Sequence, residues 1–457
     1  MIFERIKSAG IAHISYLIGS GSEAAVIDPR RDCQIYVDSS RENGLKIKHI
    51  FETHRNEDYT TGSVELADIT GAEIHHGPGL DWKFGNTLHD GQEFRIGNLK
   101  LTAIHTPGHT GESMSYAVAD LDTGSDPVMV FTGDTLFIGD TGRIDLYGEK
   151  EAPRLASNLY DSIFQKLLPL GDGVILCPAH GAGSVCGSHI ANRDESTLGI
   201  ERVQNPALRL KIKDDFIKYK TAEKLERPHY FRQMEKYNLE GPPLLGRIQL
   251  PVPLTPSEFQ AEMDKGAIVI DTSEVAAFGG IHIKGSYSIW LDGLPVFGGW
   301  VLPYDKPVLL VTEDRSHLDR AVRYLIRAGY DRIAGYLHGG IESWYNAGLP
   351  LENLPLLSAR QLKSMLDHGQ QLLLLDTRGQ DEWESGHLKG ALHIYVGHLE
   401  QKLAEIPRDK PVIVYCRTGH RAGLGASILL RAGYPVVYNF AGSVRAWTAA
   451  GFPLTTE

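Results

Sequence analysis

Short apolar runs of β-type residues, each ending in a polar, glycine-containing loop, recur along the first half of the chain. Residues 14–18 and 24–27 are two of them, split by a Gly/Ser turn at 19–22 and closed by Asp28-Pro29, which predicts a hairpin. Residues 50–52 lead into Thr53-His54-Arg55-Asn56-Glu57-Asp58-Tyr59, and a helix-like stretch follows at 63–69. His105-Thr106-Pro107-Gly108-His109-Thr110 and Phe131-Thr132-Gly133-Asp134-Thr135 likewise end apolar strands. A helical pattern over 155–167 precedes a buried-strand run at 173–177, which ends in Pro178-Ala179-His180-Gly181. Strands alternating with helices, every polar loop at a strand end, predict an α/β sandwich with its site along one edge.

Residues 188–254 are more polar, with a helix-forming run at 208–224 and prolines at 242, 243, 251, 253 and 256. They read as the closing helices of a first domain, residues 1–246, and a linker. A repeat follows. Ile268-Val269-Ile270-Asp271-Thr272 matches Leu373-Leu374-Leu375-Asp376-Thr377. Leu325-Ile326-Arg327-Ala328-Gly329-Tyr330 matches Leu429-Leu430-Arg431-Ala432-Gly433-Tyr434, and Trp344 matches Trp447. Two copies of one small α/β domain are expected, at 255–350 and 357–457.

The totals narrow the partners. A net charge of -11 argues against nucleic acid or an anionic membrane surface. Cys33, Cys177, Cys186 and Cys416, the four cysteines of 457 residues, do not make a disulfide scaffold. A cytoplasmic protein in a reducing compartment is the expectation, with no signal peptide and no bilayer-spanning run.

His54, His109 and Asp134 each sit at a strand end. Two imidazoles and one carboxylate, with other positions open, form the ligand pattern of non-haem Fe(II) oxygen chemistry. The chain here resembles the metallo-β-lactamase superfamily, and within it the persulfide dioxygenases. The family pattern is Thr-His-x-His-x-Asp-His, then Pro-Gly-His, then Gly-Asp. Asn56 and Tyr59 stand where two of its histidines would be. The resemblance implies that a two-metal hydrolytic site is lost, while His54, His109 and Asp134 are kept as ligands of one Fe(II) per chain. It implies an αββα sandwich followed by two rhodanese-like α/β domains. Gly142-Arg143-Ile144-Asp145 matches a family stretch whose arginine contacts the thiol carrier; a structural salt bridge from Arg143 to Asp140 or Asp145 is the alternative. Ala182 replaces a tyrosine found in glutathione-type members. His180 is placed facing substrate or supporting the ligands, the alternative being a ligand of a second metal in a hydrolase. Cys186, on a short Gly-rich loop after His180, is expected at the site mouth, where it either exchanges sulfur or packs the loop. His75, His76, His89 and His105 have no partner pattern and read as ordinary loop or core residues.

In the last copy, residues 411–415 enter Cys416-Arg417-Thr418-Gly419-His420-Arg421, and a small-residue helix begins. A cysteine between a strand end and a helix N-terminus has its thiolate stabilised by backbone N–H groups and the helix dipole. Arg417 and Arg421 add positive charge. This copy resembles the rhodanese sulfurtransferases, which implies that Cys416, Arg417 and Arg421 are catalytic. The middle copy has Thr312 for Cys416, Glu313 and Asp314 for Arg417 and Thr418, and His317 for Arg421, and reads as inactive.

The two resemblances imply oxidation of a small-molecule thiol persulfide by O2 to sulfite, with sulfur transfer from Cys416 giving thiosulfate. The partners expected are therefore persulfide, O2 and sulfite, and the expected assembly is a homo-oligomer. A glyoxalase II-like thioester hydrolase with an appended sulfurtransferase, and a non-catalytic sulfur carrier, are the alternatives.

Overall fold

The computed structural model describes residues 1–248 and 250–457. The chain divides into two compact units, the first Met1–Ile248 with Ile326–Gly329 and the second the remainder. In the first, β1 (Ile2–Ser8), β2 (His13–Ser20), β3 (Glu23–Ile27), β4 (Lys46–Phe51), β5 (Glu73–His76) and β6 (Asn86–Thr87) pair in sequence order. A second sheet has the order β11-β10-β9-β8-β7, from β7 (Glu93–Ile96), β8 (Leu99–His105), β9 (Met114–Asp120), β10 (Met129–Gly133) and β11 (Ile175–Pro178).

Side-chain alternation along β2 shows why the sheets stack. Ile14, Tyr16 and Ile18 point to one face and join Leu101, Tyr116 and Phe131 of the second sheet in a core between the two. Leu17 points the other way and packs with Val26, Ile50 and the helix Gln34–Glu42 through Tyr36 and Val37. The helix Ala152–Asp161 lays Leu155, Ala156 and Leu159 over Ala117, Val130 and Leu176 of the second sheet. Helix, sheet, sheet and helix make the αββα sandwich.

Three expectations change in detail. β1 was not foreseen, because Glu4, Arg5 and Lys7 interrupt its apolar pattern; as an edge strand it needs only one neighbour, pairing with β2 from Ile2↔Gly19 to Ser8↔His13. The helical run at 155–167 is an α-helix to Asp161, then a π-helical turn, Ser162–Leu167, before Pro169, which has no N–H to give. Of residues 208–224, only Lys213–Thr221 is α-helical.

The second unit holds two sheets with one strand order. One runs Pro253–Leu254, Ile333–Leu337, Val308–Val311, Ile268–Asp271, Tyr287–Ser288. The other runs Leu356–Leu357, Val437–Phe440, Val412–Tyr415, Leu373–Asp376, Leu392–His393. The pairings are parallel in both. Central strands covered on both faces read as continuous apolar runs, which is why the repeat was visible. Trp344 and Trp447 occupy equivalent places, each indole N–H donating to a proline carbonyl, that of Pro350 at 3.0 Å and that of Pro453 at 2.8 Å. Among the described residues no helix is long and apolar enough to cross a membrane.

Candidate functional site

The loops that follow β4, β8, β10 and β11 meet at one edge of the sandwich and bring His54, His109, Asp134 and His180 together, all buried. Close backbone approach makes this possible. A Cβ on Gly133, whose φ is +53°, would lie 2.5 Å from Thr53 Oγ1; one on Gly142 would lie 2.0 Å from the Asp134 carbonyl and 3.0 Å from His109 Cβ.

Each imidazole is oriented by its Nδ1. The Thr53 hydroxyl donates to Asp28 at 2.7 Å and stands 2.9 Å from His54 Nδ1, from which it is left to accept. His109 Nδ1 donates to the Arg143 carbonyl at 2.9 Å. Both Nε2 atoms therefore face inward. Asp134 Oδ2 lies 3.8 Å from His54 Nε2 and 3.6 Å from His109 Nε2. These three atoms have no hydrogen-bond partner, although they are buried. Buried polar atoms left unpaired cost several kcal/mol unless something else satisfies them. Three of them converging on one point fit a metal ion, and the donors suit a divalent first-row metal with positions to spare.

Glu57 joins this group, and sequence reasoning missed it. Its Oε1 stands 3.0 Å from His109 Nε2 and its Oε2 3.8 Å from His54 Nε2. His54, Glu57, His109 and Asp134 offer ligand atoms all within 4.8 Å of one another. The charges are strongly coupled. Burial pulls His109 down, but Glu57 and Asp134 outweigh it and lift it to about 9. Burial pushes Glu57 up, yet His109 and His54 hold it at about 2. Burial also leads at His54 and lowers it against the pull of Asp134.

His180 has a different setting. Its Nδ1 lies 2.7 Å from Asp134 Oδ1 and its Nε2 3.0 Å from Asp58 Oδ2. Burial works against its charge, but the two carboxylates raise it well above the ordinary range. It thus bridges Asp58 to the outer oxygen of Asp134. Asn56 and Tyr59 bring no imidazole to this side. Asn238, from the helix Phe231–Glu240, pins the loop by donating to the Asn56 and Tyr59 carbonyls at 2.6 and 2.7 Å and accepting from the Thr61 amide at 2.9 Å.

Cys186 is beside the centre but fully buried, not at an open mouth. Its thiol donates to Glu57 Oε1 at 3.6 Å, and burial followed by Asp58, Glu57 and Asp134 raises it well above the ordinary thiol range. The loop folds inward because the Cys186 carbonyl accepts from the Arg143 amide at 3.1 Å. Cys177 is buried inside β11, as its apolar run implies. The Arg143 guanidinium makes a two-point pair with Asp145 at 2.7 and 2.6 Å and also donates to the Val185 and Glu226 carbonyls. It lines a cavity of about 510 Å³ with Glu149, Pro153, Lys220 and Lys224. His49, half-buried, and His75, buried, share a ring-to-ring hydrogen bond of 3.0 Å.

In the second unit Cys416 is buried at the end of Val412–Tyr415, directly before the helix His420–Arg431. The Gly419 amide donates to Cys416 Sγ at 3.1 Å, and the Cys416 amide donates to Ser443 Oγ at 3.0 Å. Gly419, at φ +112°, turns its N–H toward the sulfur. Arg417 is exposed, and Arg421 forms a two-point pair with Glu382 at 2.6 and 2.8 Å, so the charge of Arg421 is already matched.

Fold and sites describe an αββα domain with a candidate metal centre, joined to two small parallel α/β domains of which one presents a thiol to backbone N–H groups. A family model described as "Metallo-beta-lactamase superfamily" matches residues 11–180, and one described as "Rhodanese-like domain" matches residues 255–347 and again 358–450. The chain belongs to the metallo-beta-lactamase superfamily, and its metallo-beta-lactamase domain is followed by two rhodanese-like domains. A metallo-beta-lactamase from Staphylococcus aureus subsp. aureus COL, solved by crystallography, is 32% identical with a TM-score of 0.66, over 74% of this chain and 98% of that one. "Persulfide dioxygenase ETHE1, mitochondrial" of Bos taurus is 29% identical over 226 residues, 47% of this chain and 78% of that protein. "Hydroxyacylglutathione hydrolase, mitochondrial" of Saccharomyces cerevisiae is 34% identical over 146 residues, 29% of this chain and 50% of that protein.

Proposed function

We propose that the chain oxidises a low-molecular-weight persulfide to sulfite at an iron centre held by His54, His109 and Asp134, and passes sulfur from Cys416 to sulfite, giving thiosulfate. The carrying observation is the set of unpaired buried atoms, His54 Nε2, His109 Nε2 and Asp134 Oδ2, beside the missing imidazoles at Asn56 and Tyr59. A thioester hydrolase of the kind named among the relatives needs groups for a second metal there. The persulfide dioxygenase relatives support the oxidative reading.

Atoms balance as R–S–SH + O2 + H2O giving R–SH, sulfite and two protons. Bound iron would supply the oxygen chemistry and an anchor for sulfur. The protein supplies the rest. Thr53 and the Arg143 carbonyl fix the imidazole planes, so the ligand atoms are placed before substrate arrives. The site's burial excludes bulk water. The cavity beside Arg143 is the proposed seat of the thiol carrier, and His180 and Cys186 line the substrate side of the centre. In the second step Cys416 takes the outer sulfur of a second R–S–SH, releasing R–SH, and Cys–S–S⁻ and SO3²⁻ then give Cys–S⁻ and thiosulfate. The Gly419 amide and the helix dipole favour the thiolate that leaves.

The test is anaerobic metal analysis with O2-electrode assays on wild type and His109→Ala. One iron per chain with persulfide-dependent O2 uptake, both lost in His109→Ala while Cys416 transferase activity survives, is the expected result. Two zinc ions and thioester cleavage would establish the hydrolase instead.

A further inference from the structure

Four side chains, not three, aim unpaired atoms at the candidate centre. Among the described residues, the Nε2 atoms of His54 and His109, Asp134 Oδ2 and Glu57 Oε2 are all buried without a hydrogen-bond partner. We propose that Glu57 is a fourth protein ligand of the metal ion, making the resting centre one of two imidazoles and two carboxylates. This rests on the reading of His54, His109 and Asp134 as ligands.

Geometry carries the assignment. Ligand atoms about 2.1 Å from one ion stand about 3.0 Å apart at right angles and about 3.4 Å apart at tetrahedral angles. Glu57 Oε1 is 3.0 Å from His109 Nε2 and its Oε2 3.8 Å from His54 Nε2, while Asp134 Oδ2 is 3.6 and 3.8 Å from the same two nitrogens. Glu57 is thus as close to the shared point as the three residues at strand ends. Away from the centre, the side-chain hydrogen bond it accepts among the described residues is from the Cys186 thiol at 3.6 Å, a weak donor. Arg55, two residues before Glu57 in the loop, turns away to Glu235 at 3.5 Å. A buried carboxylate needs a cation, and two carboxylates with two neutral imidazoles balance a divalent ion.

The consequence concerns substrate entry. A ligand from Glu57 fills a position that a three-ligand centre leaves open to solvent. Persulfide sulfur would then bind beside Glu57 or displace it. The thiol of Cys186 is placed to hold the displaced carboxylate through the hydrogen bond it already makes.

The test uses the full chain, metal-free, titrated anaerobically with Co(II) as the probe, its affinity read by competition with a chromophoric chelator and its coordination by the visible absorption band. Wild type and Glu57→Gln should each reach one Co(II) per chain, with affinity in the variant reduced by more than about 100-fold, the upper end for losing a supporting hydrogen-bond partner. The band should shift and intensify as the coordination number falls, a change that a merely neighbouring carboxylate would not cause. Circular dichroism of the metal-free proteins checks the fold. If Glu57→Gln does not fold, Glu57→Asp, which keeps the charge but draws it back by one methylene, is read in its place and should also show weaker binding and a shifted band. An unchanged band in the folded variant overturns the proposal, whatever the affinity. A wild-type band and full occupancy in His109→Ala overturn the centre itself, a distinct result.

Discussion

The two rhodanese-like copies share a strand order and differ in what meets the N-terminus of one helix. In the last copy the strand Val412–Tyr415 delivers Cys416, and the Gly419 N–H points at its sulfur at 3.1 Å. In the middle copy Val308–Val311 delivers Thr312 to the start of Arg315–Arg327. There the Ser316 and His317 N–H groups donate to Asp314 Oδ1 at 2.7 and 2.9 Å, and the Thr312 hydroxyl donates to the Asp314 carbonyl at 3.3 Å. The donors that would hold a sulfur anion are already filled by a carboxylate of the chain itself. An anion site is thus retired without loss of the helix that made it, since an aspartate there also caps the helix.

A second difference lies at the neighbouring strand. Asp376 is paired at two points with Arg378, at 3.0 and 2.7 Å, and both are buried. Asp271, at the equivalent place, is equally buried but has Ser273 where the arginine would be, and accepts from the Ser273 N–H at 3.0 Å. Burial raises the Asp271 carboxyl from 3.8 to about 6. The middle copy differs from the last both in the loop that holds Cys416 and in the arginine paired with the buried aspartate.

Five substitutions probe this contrast. Cys416→Ser should cut sulfur transfer by roughly 10⁴-fold or more, as removing a nucleophile does. O2 uptake should persist, with sulfite replacing thiosulfate as product; thiosulfate formed at the wild-type rate would return the chemistry to another residue. Asp376→Asn should destabilise the last copy by about 3–5 kcal/mol, because it strands the buried Arg378 cation. Urea unfolding at pH 7 measures it, and a loss below about 1 kcal/mol would mean the pair is dispensable.

The same change in the middle copy should act in the opposite direction. Asp271 binds its proton more tightly folded than unfolded, so its favourable contribution is complete below about pH 4 and is lost as pH rises through about 6. Asp271→Asn stays uncharged at every pH. It should therefore stabilise the middle copy by up to about 3 kcal/mol at pH 7 and leave it unchanged at pH 4. Melting curves at the two pH values check both the sign and the window. The smallest effect belongs to Thr312→Cys. In a Cys416→Ser background it should restore no measurable transfer while Asp314 fills the N–H groups, and the added change Asp314→Thr should bring the first detectable activity. Transfer from Thr312→Cys alone would show that the carboxylate does not block the site.

Periodic and local features could be read from the chain. The matched strands around Asp271 and Asp376 are buried on both faces, so their apolar runs stand out. Cys416 lies between a strand and a helix, a context set by adjacent residues. His54, His109 and Asp134 each follow an apolar run, and the loop chemistry at strand ends marks them. Charges that meet through space were not legible. Glu57 sits in a loop whose curvature depends on Asn238, a residue from a distant helix, and only that fold-back brings its carboxylate to 3.0 Å from His109. The bridging of Asp58 and Asp134 by His180, the pairing of Arg421 with Glu382, and the burial of Cys186 under the Arg143 amide likewise join elements far apart in sequence. Local pattern registers which side chains are apolar and where the backbone turns. Whether a carboxylate ends beside a cation, a thiol or an open ligand position depends on distances of a few ångströms between separate loops, and packing of the sandwich sets those distances.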